Sequence, residues 1–178
     1  MPTILSHPAV PLAISLGLGS TLIPPRLLVA GLIASVLPDA DVLAFRLGIA
    51  YGHELGHRGL SHSLVFAVAV ALAASACAPR LRARRLTTFL FMLVATASHG
   101  LLDMLTDGGK GVALYWPFSD QRFFFPVQPI HVSPLSLRRL FAPRGASVLG
   151  SEFFWVWLPS LVAGLALFVA RRRLVRSG

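Results

Sequence analysis

The chain has 178 residues, room for one domain rather than two. Hydrophobic residues make up 55% of it and charged residues only 13%, with mean hydropathy +0.72, which excludes an ordinary soluble enzyme and a disordered tail. The single cysteine, Cys77, excludes a disulfide framework, and the net charge of +9 sits mainly beside apolar runs, which favours a membrane over nucleic acid as partner.

The first apolar run, Pro8 to Ile23, ends at Pro24-Pro25. No Lys or Arg precedes Arg26, so a signal peptide's positive n-region is missing and the run is expected to stay as a helix. Arg26 to Leu37 is apolar but short, and fits either a short span or a broken helix continuing through Val42 to Tyr51. Leu60 to Ala78 and Leu86 to Leu105 are each close to the roughly 20 residues that cross a bilayer. Phe153 to Ala170 is slightly shorter and contains Pro159, which a membrane helix tolerates as a kink. The prediction is an all-α, polytopic membrane helical bundle of about five transmembrane or partly inserted helices. It forms one domain over 1–178, with residues 107–151 as an extracytoplasmic loop.

Nine basic residues orient these spans: Arg26, the group Arg80, Arg82, Arg84 and Arg85, and the group Arg171, Arg172, Arg173 and Arg176. All fall on one side if the chain crosses five times, and the positive-inside rule makes that side cytoplasmic. Lys110, Arg122, Arg138, Arg139 and Arg144 then lie outside, in a long segment of the kind that obeys the rule poorly.

The ionisable groups are not scattered. Asp39, Asp41, His53, Glu54, His57 and His62 fall within 24 positions, and His99, Asp103 and Asp107 form a second group. In the five-crossing topology both groups lie at the outer ends of their helices, level with His7 before the first helix. Ionisable groups at membrane depth are expensive, so they pair, bind ions or line wet cavities. His99 and Asp103, four apart, share one helical face and can reach one cation, although a simple hydrogen bond between turns also fits. Asp39 and Asp41 after Pro38 mark a turn that either holds metal or caps a helix. His53-Glu54-Leu55-Gly56-His57 matches the H-E-x-x-H pattern of zinc proteases, but Gly52, Gly56 and Gly59 oppose the stable helix that pattern requires.

Four elements together are distinctive: Pro38-Asp39-Ala40-Asp41; His57-Arg58-Gly59-Leu60-Ser61-His62-Ser63; His99-Gly100-Leu101-Leu102-Asp103 continuing to Thr106; and Trp116-Pro117-Phe118-Ser119. Over roughly residues 1 to 125 the chain resembles the LexA-regulated, membrane-bound metal-dependent hydrolase family (YdjM-like). The H-x-x-x-D spacing is also distantly similar to that of zinc-dependent phospholipase C and the P1-type nucleases. This resemblance implies a polytopic inner-membrane protein with metal ligands His7, Asp39 or Asp41, His57, His62, His99 and Asp103. The soluble enzymes carry further downstream ligands, for which only His131 and Glu152 remain here.

Nitrogen and carboxylate donors without thiolates suit Zn²⁺ or Mn²⁺, in one to three ions, with a bound water acidified towards a pKa of about 7. Asp39 and Asp107 are the candidate bases. Arg58 is either a phosphate contact or an interfacial snorkelling residue. Tyr115, Trp116, Phe118 and Phe123-Phe124-Phe125 form an interfacial belt or an acyl-chain groove. The expected function is a metal-dependent phosphoesterase acting on a lipid or other phosphoester at the outer face. Its rivals are a membrane zinc protease using residues 53–57 and a metal or ion transport protein.

Overall fold

Proline and glycine divide the apolar runs into helices. The computed structural model describes residues 1–133 and 143–177; Arg138 and Arg139 of the expected loop lie outside these. Helix α1 (Ala9–Leu18) follows Pro8 and stops at Gly19. Helix α2 (Pro25–Val36) opens on a proline, at the position where a missing N–H costs nothing. At Pro38, which cannot donate to a regular α-helical ladder, the chain tightens into 3₁₀ turns over Leu37–Leu47. The broken-helix alternative is therefore the one adopted, and Pro25–Leu47 is long and apolar enough to cross a membrane. Helix α3 (Leu64–Ala76) starts later than the apolar run suggests. Ser63 caps it, accepting from the Phe66 amide, and Leu60–His62 form a separate turn before it. Helix α4 (Arg85–Met104) is the second candidate span.

Among the described residues, the stretch after α4 contains two isolated β-bridges, Thr106 with Ile130 and Val112 with Phe123. Helix α5 (Pro143–Glu152) runs through a π-helical turn (Phe153–Trp157) into α6 (Leu158–Ser177), making the third candidate span, Gly145–Leu174. This corrects the expected loop boundary: the final helical rod begins at Pro143, inside the 107–151 stretch. Its first turns are small and polar (Gly145, Ser147, Gly150, Ser151), so hydropathy alone does not mark them as helix.

Helix α6 packs along α1, while α2 and α3 both pack on α4. At the α1–α6 seam a Cβ on Gly17 would stand 2.5 Å from Leu167 Cβ, and one on Gly164 would stand 2.8 Å from the Ala13 carbonyl. Small residues of this kind let helix backbones approach where lipid supplies no hydrophobic drive. Ile23, Leu27, Ala34, Ala71, Phe91 and Met92 form the main apolar core. Helices α1 and α3, of 10 and 13 residues at about 1.5 Å per residue, are too short to cross a hydrocarbon core of about 30 Å unaided.

The chain runs five times between two ends of unlike chemistry. At one, Arg26 reaches the Arg80 carbonyl at 3.2 Å, and Arg171 donates to the Leu18 carbonyl at 2.8 Å. The other collects His7 before α1, Asp39 after α2, His62 before α3, and His99 and Asp103 in the last turns of α4.

Candidate metal centre

Each donor reaches the centre for a local reason. His99 and Asp103 lie one turn apart on the buried face of α4. Asp39 sits in the first 3₁₀ turn after Pro38. His62 closes the short turn before α3, and Gly100 lets that turn lie against α4: a Cβ on Gly100 would stand 2.8 Å from the His62 carbonyl. All four residues are buried.

Their reactive atoms converge. His62 Nε2 lies 3.1 Å from His99 Nε2 and 3.4 Å from Asp103 Oδ2. Asp39 Oδ1 lies 3.3 Å from His99 Nε2 and 3.8 Å from His62 Nε2. A tetrahedral ion with bonds of about 2.0–2.1 Å separates its ligands by about 3.4 Å, so these spacings bracket what one such ion requires. Both carboxylate oxygens of Asp39 and of Asp103 are buried without a hydrogen bond among the described residues. Buried acceptors are rarely left so, and a cation is the partner such a donor set fits. His7 adds a fifth donor. Its ring stacks on His99 with centroids 3.6 Å apart, and its Nε2 is 3.9 Å from an oxygen of Asp39 and of Asp103. Burial, with His99 beside it, holds His7 well below the usual histidine range, so it is neutral with a lone pair to offer.

The surrounding groups fix these rings. His99 Nδ1 donates to the Ser35 carbonyl at 2.7 Å, which leaves Nε2 as the inward-facing lone pair. Asp41 accepts from His57 Nδ1 at 2.6 Å, Ser61 Oγ at 2.7 Å and the Arg58 amide at 3.1 Å, and faces His62 Nδ1 at 3.2 Å. Burial alone would lower His62, but the carboxylates of Asp103 at 3.4 Å and Asp41 at 3.2 Å outweigh this and raise it to about 9. The proton on Nε2 then lies where a cation would.

Arg58 is fully buried, with backbone φ of +63°, a conformation that strains a non-glycine residue. Its Nε is 3.0 Å from Asp103 Oδ2, near enough for an ion pair though not aligned as a hydrogen bond. The Nη atoms donate to the Gly108 carbonyl and to Thr106 Oγ1, each at 2.9 Å. This is neither a snorkelling residue nor one turned out to meet a phosphate.

Seven of the sequence-predicted residues thus gather here: His7, Asp39, Asp41, Arg58, His62, His99 and Asp103. His57 joins through Asp41, and those two with His62 form a second acidic and imidazole group sharing the His62 ring. Asp107 does not join. It is partly exposed, pairs with His131 at 2.8 Å and accepts from the Val132 amide. Glu152 is buried on Thr3 and Ser6 instead. His53 and Glu54 are exposed in a succession of turns, so the helical face that H-E-x-x-H requires does not form. Sequence reasoning missed Ser35, which acts through a carbonyl that every residue carries. Ser61 and Thr106 were visible in their motifs, but their hydroxyls carried no predicted role.

The model of the YdjM inner membrane protein family matches residues 1–174. The chain is also 53% identical over 173 residues to the Inner membrane protein YbcI of Escherichia coli (strain K12), which covers 97% of this chain and 100% of that relative. No solved structure matches, and the expected likeness to phospholipase C and the P1-type nucleases finds no support there. The chain belongs to the YdjM inner membrane protein family.

Proposed function

We propose that this inner membrane protein is a metal-dependent hydrolase of phosphoesters, with its site on the extracytoplasmic side. Asp39, His62, His99 and Asp103 would hold a divalent ion, Zn²⁺ or Mn²⁺, with His7 alongside. The observation that carries this reading is the set of buried, unbonded carboxylate oxygens of Asp39 and Asp103 facing two oriented imidazole nitrogens. A bound ion would supply Lewis acidity and an acidified water. The chain's own groups do the rest. Ser35 and Asp41 keep His99 and His62 turned inward, and Arg58 balances the charge of Asp103. Asp39 Oδ2, on the side of the pair facing His7, is positioned to take the proton of an attacking water.

Two features favour a lipid phosphoester. An apolar cleft of about 260 Å³, lined by Leu37, Pro38, Leu55, Leu60 and Phe66, ends on Asp41 and Ser61, which both contact His62. Tyr115 and Phe118 are exposed at the same end of the bundle, as an interfacial belt requires. The position of the basic residues at the opposite end supports an outward-facing site.

The test is metal analysis of detergent-purified protein, followed by hydrolysis assays on a soluble phosphodiester and on phospholipid vesicles. At least one equivalent of transition metal is expected, falling sharply in the His62→Ala/His99→Ala double variant. Metal content unchanged in a folded double variant overturns the site. Metal without hydrolysis of either substrate class overturns the reaction.

A further inference from the structure

The segment carrying His7 precedes α1 as a few residues of turn, and neither ring nitrogen of His7 makes a hydrogen bond among the described residues. Its side-chain anchors come from the far end of the chain. Glu152, the last residue of α5, is buried, and its carboxylate accepts from the Thr3 amide, Thr3 Oγ1 and Ser6 Oγ. Ser6, directly before His7, also accepts from Trp157 Nε1 at 3.2 Å. The π-helical turn Phe153–Trp157 follows Glu152 at once, and such turns re-aim side chains within a helix. A buried carboxylate with three donors is satisfied without metal, so Glu152 is not a ligand in waiting.

We infer that Glu152 is a positioning residue: through Thr3 and Ser6 it fastens the N-terminal segment so that His7 serves as a ligand of the metal centre. The inference rests on the proposed metal site and adds that the last helix, which contributes no ligand, completes it. The chemistry fits. His7 contributes a ring with two unbonded nitrogens that stacks on His99, and the Glu152 clasp on Thr3 and Ser6 fixes the backbone that carries it beside Asp39 and Asp103. Outer groups that orient a ligand typically change metal affinity by about 10–100-fold.

The probe is Co²⁺ alone, added to full-length protein in detergent, because its visible absorption reports ligand number and type. His7→Ala should alter the band shape and intensity. Glu152→Ala should reproduce that altered spectrum and weaken Co²⁺ binding about 10–100-fold, while Glu152→Gln, which keeps one acceptor oxygen, should fall between. Leu167→Ala, which loosens the same α1–α6 seam away from Glu152, should leave the spectrum unchanged. If Glu152→Ala does not fold, Thr3→Val with Ser6→Ala removes two donors from the other side and should give the His7→Ala spectrum. A wild-type spectrum in the Glu152 or Thr3/Ser6 variants, or in His7→Ala itself, overturns the inference while leaving the metal site standing. Absence of Co²⁺ binding to the wild-type chain overturns both.

Discussion

Asp41 and Arg58 matter through what they do to their neighbours. Asp41 orients His62 without facing the carboxylate pair, so Asp41→Asn should leave a folded protein whose metal affinity is lower by about 10–100-fold; isothermal titration with Zn²⁺ measures it. Arg58→Ala leaves the buried Asp103 carboxylate without its cation. Breaking such a pair costs about 3–5 kcal/mol, so the metal-free variant should unfold at markedly lower denaturant in detergent. Arg58→Lys should rescue little, since one ammonium cannot meet Asp103, Thr106 and Gly108 together. His62 gives a pH signature with opposite signs in the two states. Its metal-free pKa is raised from 6.5 to about 9, so its contribution to folding is complete below about 6.5 and lost as pH rises through 9. Metal must displace that same proton, so affinity should climb about tenfold per pH unit across this window. Stability of metal-free protein that rises with pH between 7 and 9 would contradict the assignment.

At the scale of elements, Gly100 links packing to chemistry. Gly100→Val should push the His62 turn off α4 and remove metal binding while circular dichroism shows the helices intact. The two elements meeting there were unequally legible. Helix α4 was readable almost to the residue, because a 20-residue apolar run between an arginine cluster and a polar turn leaves little choice. The His62 turn was not, because apolarity continues from Leu60 into α3 and only the Ser63 cap separates them. Likewise, Pro38 announced a break in α2 but not the 3₁₀ turns that aim Asp39 inward. Within the site, residue type revealed donors, while tautomer, orientation and the burial of Arg58 depend on long-range partners such as Ser35 and Thr106. Asp107 shows the converse: its place beside the H-x-x-x-D motif suggested chemistry, but three dimensions gave it to His131.

For the whole molecule, the separation of a basic end from a His/Asp end is the main architectural fact. It makes a topology prediction that stands apart from catalysis. On a Cys77→Ser background, a cysteine at the exposed Asp120 should react with a membrane-impermeant thiol reagent in intact cells. One at the exposed Arg84 should react only after lysis. The reverse pattern would place the centre in the cytoplasm and redirect the search to cytosolic substrates.

The carboxylate of Glu152 and its partners Thr3 and Ser6 are nearly 150 positions apart in the chain. During synthesis, all five converging donors emerge by residue 104, whereas the clasp on the N-terminal segment awaits the final helix. A nascent chain halted before Pro143 would therefore carry an open, half-built cage with an untethered His7. On the proposed reading, ion capture would become tight only once the last segment is in place, and the finished centre would then double as a record that insertion ran to completion.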